Sequence, residues 1–176
     1  MRSLFTLAAV LGLTVACSSP TSPTPGTIDS LTAGGFTTVI LSRGTMSATV
    51  DGSRWIAATA NGSTGTFNGV PGSAMISGLA TGSSPFTPGL FISISVPPAA
   101  GTYALGGSNF VSFSLMDGLL RWAADPFRSG GSGTVTLTTA STTRLVGTFS
   151  FTAIATATGM SPETRVVTNG AFDLSQ

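Results

Sequence analysis

Apolar and small polar residues alternate along most of this chain, and Gly, Asn-Gly or Asp-Gly interrupts the alternation at short intervals. A period of two sends successive side chains to opposite faces of an extended backbone, so each such segment has one face to bury. Met46, Ala48 and Val50 alternate with Ser47 and Thr49, and Asp51-Gly52 then leads into Ser53–Ala58. A two-residue Asp-Gly loop accepts positive φ at both positions, as a type I′ hairpin requires. Ala74–Leu79 reads as a short strand, and Leu90–Val96 places Ile92, Ile94 and Val96 on one face before Pro97-Pro98 ends the ladder. Phe110–Met116 alternates Val111, Phe113 and Leu115 with serines, and Asp117-Gly118 predicts a second hairpin into Leu119–Ala124. Val135 and Leu137 stand against three threonines in Thr134–Thr138, and Leu145, Phe149 and Phe151 share a side of Arg144–Ile154. In the last segment Val166, Phe172 and Leu174 share a parity. Asn169-Gly170 inside it predicts a bulge, since few residues follow it for a returning strand. Residues 28–44 are less legible, with Phe36–Leu41 either a strand or a packed lead-in.

After residue 17 no window repeats apolar residues at i, i+3, i+4 and i+7, and Thr, Gly and Val stand where a helix favours Glu, Lys and Leu. The expected fold class is therefore all-β: an antiparallel β-sandwich or a partly closed β-barrel of about eight to ten short strands. The expected organisation is a leader over 1–16, a tether over 17–27 and a single domain over 28–176, best defined over 45–175.

Charge is scarce. Seven Arg and no Lys face six acids, and there is no His. A near-neutral surface offers no basic stripe for phosphates, which excludes nucleic acid as a partner. Without His, the usual general base and commonest transition-metal ligand are missing, and a Ser-His-Asp or Cys-His site cannot form. Paired carboxylates can hydrolyse glycosides, and Asp117, Asp125, Glu163 and Asp173 are available, but the six acids of the chain stand mostly beside Gly, Pro or Arg, as turns need anyway. The expectation is a protein that is not an enzyme, with no cofactor and no metal. One Cys permits no intramolecular disulfide, so the fold must hold by packing.

That Cys is Cys17, and it closes a segment that begins with Met1-Arg2 and continues as an apolar stretch over residues 4–15. Such a segment reads as a signal peptide, too short to span a bilayer as a finished helix. Thr14-Val15-Ala16-Cys17 resembles the lipobox of bacterial lipoproteins, although that family usually carries Leu where this chain has Thr14. The resemblance implies cleavage before Cys17 and lipid attachment to it through a thioether to diacylglycerol. Ser18, where Asp commonly marks inner-membrane retention, favours the outer membrane. Ser18–Gly26 contains three prolines and reads as an extended tether that would hold a domain about 25–30 Å above the membrane.

Further motifs follow in order: Gly101-Thr102-Tyr103, Gly133-Thr134-Val135-Thr136, Gly147-Thr148-Phe149-Ser150-Phe151-Thr152-Ala153, and Val167-Thr168-Asn169-Gly170-Ala171-Phe172. With Met46–Gly52 and Trp55, this series resembles a group of uncharacterised bacterial lipoprotein domains across residues 46–174. Ala140-Ser141-Thr142-Thr143 departs from the Lys and Asp that group carries between its last strands. The resemblance implies a β-rich envelope domain and no particular activity.

For binding, the sequence singles out the run after the second expected hairpin. Trp122, Asp125, Phe127 and Arg128 form a possible ligand-facing loop, where aromatics on a rigid β scaffold would support recognition. Trp55, sharing parity with Ala57, is expected in the core. Arg54 with Asp51, and Arg128 with Asp125, are expected as local surface pairs. The function these features favour is a membrane-anchored, non-enzymatic lipoprotein presenting a recognition or structural domain to an unidentified envelope protein or glycan. The alternative is a lipocalin-like carrier with a lipid or other small apolar molecule in a barrel cavity. An integral outer-membrane barrel fits the length, but the lipobox, the tether and the few girdle aromatics argue against it.

Overall fold

The computed structural model describes residues 30–33, 35–81, 89–106, 108–115, 121–124, 130–156 and 164–176. Those residues form thirteen strands and no helix. In chain order they are β1 (Ser30–Ala33), β2 (Phe36–Leu41), β3 (Arg43–Val50), β4 (Ser53–Ile56), β5 (Thr59–Phe67), β6 (Val70–Thr81) and β7 (Gly89–Val96), then β8 (Gly101–Ala104), β9 (Phe110–Leu115), β10 (Arg121–Ala124), β11 (Ser132–Ala140), β12 (Arg144–Ala155) and β13 (Thr164–Ser175). All belong to one antiparallel sheet in the order β1-β2-β5-β6-β7-β9-β10-β12-β13-β3-β4, with β11 pairing β12 and β8 pairing β11 off that path.

The sheet curls over its own apolar face without closing into a barrel. β2 and β3 are parted only by Ser42, yet β2 pairs with β5 while β3 pairs with β13, so one bent segment serves distant parts of the path. Trp55, on β4 at one end, donates its indole N–H to the carbonyl oxygen of Leu90 on β7, 3.3 Å away. The end of the sheet thus folds back on its middle.

One cluster fills the interior: Met46, Trp55, Ile76, Ile92, Ile94, Leu137, Leu145, Phe149, Phe172 and Leu174 are among its buried members. Their rows follow from the period-two pattern, since a strand with one buried face repeats its apolar residues at every second position. Large and small residues then alternate across the strands. Gly147 lies opposite Phe172 and Phe149 lies opposite Gly170, so each ring covers the glycine of the neighbouring strand. A Cβ on Gly147 would come within 2.7 Å of Phe172 Cζ, and one on Gly170 would fall on the Phe149 ring. The rings of Phe149 and Phe172 stack with centroids 6.3 Å apart, and Phe151 follows at 6.0 Å from Phe149. Gly78 plays the same part on β6, where a Cβ would lie 2.7 Å from Met46 Sδ and 2.8 Å from Trp55 Cη2.

Asp51 and Gly52 take φ of 48° and 80°, the left-handed pair that the β3–β4 hairpin predicts. Asn68-Gly69, with φ of 49° and 78°, makes an equivalent turn between β5 and β6. β9 and β10 pair as the second hairpin requires, while the Asp117-Gly118 turn itself lies outside the described residues. The bulge in the last strand is present: the register slips between Phe149 and Phe151 where Asn169 has φ 51°. That slip corrects one expectation. Because the extra residue reverses parity, Val167 is buried before the bulge with Phe172 and Leu174 after it, and Val166 faces out.

The strands exceed the expected eight to ten. β5, a segment the alternation left unassigned, contains Asn61-Gly62 and Gly65, and Leu174 and Leu145 occupy the space that a Gly62 side chain would fill. Replacing Phe149 by Ala is expected to cost about 3–5 kcal/mol in urea unfolding, whereas Gly147→Ala should cost about 1–3 kcal/mol by overpacking. A loss below about 1 kcal/mol for Phe149→Ala would reject its place in the core.

Candidate functional site

Trp122 sits on β10 with 1% of its surface exposed, inside the packed interior rather than on an open aromatic platform. The guanidinium carbon of Arg165, on β13, stands 4.8 Å from the Trp122 ring centre, within cation–π range. Arg165 Nη1 donates to Asp51 Oδ2 at 2.6 Å, and Asp51 Oδ1 accepts the backbone N–H of Val166 at 2.8 Å. The Asp51 backbone N–H also donates to the Val166 carbonyl oxygen at 2.9 Å. Three elements therefore meet in one stack: the β3–β4 turn, β13 and β10. Asp51 is tied to Arg165 rather than to the expected Arg54, because the turn lies against β13 and brings the Arg165 guanidinium to its carboxylate. This cluster closes the domain over Trp122. Asp125, Phe127, Arg128 and the lipid-attachment candidate Cys17 lie outside the described residues.

A continuous polar surface lies elsewhere, on the outward side of β8, β11, β12, β13 and β3. Alternation places Val135, Leu137, Phe149 and Phe151 inside, and so turns Thr134, Thr136, Thr148 and Ser150 outward. Register then aligns Thr102, Thr136, Thr148, Ala171 and Ser47 as one row across five strands. Thr102 and Thr136 hydrogen bond through their hydroxyls at 3.0 Å. Shallow open depressions of about 320 and 410 Å3 lie along this face, the first bordered by Thr45, Ser47, Thr138 and Asp173, the second by Thr134, Ser150 and Asn169.

At the edge of that face Arg144 grips Asp173 with two parallel bonds, Nε to Oδ1 at 2.9 Å and Nη2 to Oδ2 at 2.7 Å. The hydrogen bonding, followed by the opposite charge, holds the Asp173 carboxyl below the usual carboxylate range and pushes the Arg144 guanidinium further up. Both side chains are about half exposed, so solvent and salt screen the pair. Chemically, this face can exchange hydrogen bonds with a neutral hydroxylated or amide surface. Among the described residues no group of three His, Cys, Asp or Glu is placed to hold a metal ion.

The sequence identified these threonines only as the exposed side of a strand. The Thr-x-Thr-x-Thr run at 134–138 was the available signal, but its alignment with Thr102, Thr148 and Ser47 depends on register. Arg144 and Asp173 are 29 positions apart, and nothing local links them.

No described protein family, curated protein or solved structure matches this chain.

Two outcomes follow from these contacts. Asp173 has a depressed folded-state pKa, so its pairing stabilises the fold above the ordinary carboxylate pKa and is lost as pH falls through the lowered value. The difference in urea midpoint between the native chain and Asp173→Asn should shrink on acidification and on adding salt; an unchanging difference would show that the pair does not contribute through charge. Arg165→Met should cost about 1–2 kcal/mol, since it removes the guanidinium from Asp51 and from the Trp122 ring while Asp51 keeps the Val166 N–H. A red shift in tryptophan emission should accompany that loss, and unchanged emission would contradict the stack.

Proposed function

We propose that this protein is a non-enzymatic lipoprotein of the bacterial envelope, most consistent with the outer membrane, that uses acylated Cys17 and the Ser/Thr/Pro tether to present a rigid β domain. The observation that carries this reading is a lipobox-like sequence ending at Cys17, followed by a proline-rich spacer and then by a domain that fills its own interior. Two acyl chains on one residue give stable anchoring where a single chain is marginal. The surface offered to a partner is the threonine and serine face of β11, β12, β13 and β3, which suits a glycan or an envelope protein rich in neutral hydrogen-bonding groups. The absence of His and the few carboxylates in the sequence support a binding or structural role over catalysis.

The filled interior weighs against a lipocalin-like carrier. Interior glycines abut neighbouring side chains so closely that not even a methyl group would fit at Gly78 or Gly147 without displacement. A membrane-spanning barrel needs the inverse pattern, with a polar lumen and an apolar exterior. Here the inside is Leu, Ile, Phe and Trp, and much of the outside is Thr and Ser.

Growth of a producing bacterium with a labelled fatty acid tests the anchor. The native chain should carry the label in the outer-membrane fraction, and Cys17→Ser should remain folded and unlabelled. Persistent labelling of the variant would refute attachment at Cys17.

A further inference from the structure

The charges of this domain are distributed unevenly. No Asp, Glu, Lys or Arg occurs in residues 30–42 or 55–116, so β1, β2, β5, β6, β7, β8 and β9 carry none. Among the described residues the charges, Arg43, Asp51, Arg54, Arg121, Arg144, Arg165 and Asp173, all stand on β3, β4, β10, β12, β13 or the β3–β4 turn, while Asp29 and Asp117, close in sequence to β1 and β9, lie outside them. Large exposed apolar side chains have the opposite distribution. Of six among the described residues, Phe36, Val70, Met75 and Phe110 stand on the charge-free strands, with Phe36 58% and Val70 65% exposed. Phe36 and Val70 flank the same β5 position, Phe67, in register. A second row runs Ile40, Ser63, Met75, Ser95 and Phe110 across β2, β5, β6, β7 and β9, with Met75 and Phe110 exposed, Ile40 and Ser63 half-buried and Ser95 buried between them. The turns beside Phe36 and Val70 are docked on each other, with the Asn68 backbone N–H donating to the Gly35 carbonyl oxygen at 2.8 Å.

We propose that this charge-free face, led by Phe36, Val70, Met75 and Phe110, rests on the headgroup–acyl boundary of the membrane that anchors the chain. The inference rests on acylation of Cys17 as proposed above, and three observations select the membrane as the occupant. Cys17 precedes Ser30 by thirteen residues, a reach of at most about 45 Å, so the domain stays near the lipid and meets it directly if the tether slants along the surface instead of standing upright. β1 pairs with β2 so that Ser30, where the tether joins, stands opposite Val39, next to the Ile40 end of the second row, and the tether therefore enters the sheet beside this face. A short tether also keeps the patch at high effective concentration near the lipid, so that a weak insertion suffices. Finally, a face without Lys, Arg, Asp or Glu carries no ion to desolvate on approach to hydrocarbon. It also has nothing to attract anionic headgroups, so its contact should not respond to salt. With this side down, the threonine face and the Arg144–Asp173 pair remain available to a partner in water.

The test uses the acylated full chain, purified in detergent and reconstituted into phosphatidylcholine vesicles. Its Cys17 sulfur is consumed by the thioether, so Val70→Cys, Phe110→Cys and, as control, Arg54→Cys each supply one thiol for an environment-sensitive fluorophore. The expected result is blue-shifted emission at positions 70 and 110, quenched by spin-labelled lipid, and water-like emission at position 54. The pattern should persist from about 50 mM to about 500 mM salt. Water-like emission at 70 and 110 in a chain whose mass includes the diacylglyceryl group would overturn the inference while leaving the anchor intact. A shift at 70 that appears without vesicles and grows with protein concentration would assign the face to a second copy of the chain, again overturning it. A mass lacking the diacylglyceryl group would reject the anchor, and with it the tethering that selects the membrane.

Discussion

Filling the space inside a single curled sheet is the constraint from which the rest of this structure follows. A two-layer domain can adjust the gap between layers, but a sheet that bends over its own face must match the volume of each inward side chain to the curvature at that point. The reciprocal pairs Gly147–Phe172 and Phe149–Gly170 meet this demand on β12 and β13, and Gly78 beneath Met46 and Trp55 meets it on β6. Small residues let the strands bend inward where rings from the next strand supply the bulk, a form of aromatic cover for sheet glycines. With no disulfide available, this fit and the Trp55–Leu90 hydrogen bond hold the end of the sheet against its middle.

Polar contacts then lock particular ends. Asp51 takes a left-handed turn conformation and uses that position to bind the backbone of Val166 and the Arg165 guanidinium, whose face covers Trp122. One aspartate thus serves as turn residue and as clasp between strands distant in sequence. Arg144 and Asp173 make a second cross-strand link, exposed and correspondingly weaker.

What could be read from the residues was the local period. The inward rows of Met46, Ala48 and Val50, of Ile92, Ile94 and Val96, and of Phe149 and Phe151 are where alternation puts them, and Asp51-Gly52 and Asn169-Gly170 make the expected turn and bulge. β5 was illegible because its glycines are defined by what fills their space, and Leu145 and Leu174 come from strands some eighty or more positions away. Val166 was misplaced because a bulge inverts parity upstream of itself. Trp122 carried an open question, core or platform, and its answer depended on Arg165, which only the register of β10, β12 and β13 brings near. Composition revealed the shortage of charge; its segregation to one part of the sheet emerged only once the strands were in order.

Among the described residues, β1, β4 and β8 have only one ladder neighbour and are each four residues long, whereas β6, β12 and β13 run to twelve. Exposed backbone at a sheet margin is a template for recruiting other molecules, and a chain so poor in repelling ions has little else to prevent it. Abbreviated margins leave an incoming strand too few hydrogen bonds to compensate its loss of freedom. Where the chain has few charges to discourage edge-to-edge pairing, the shortness of these margins limits it by geometry.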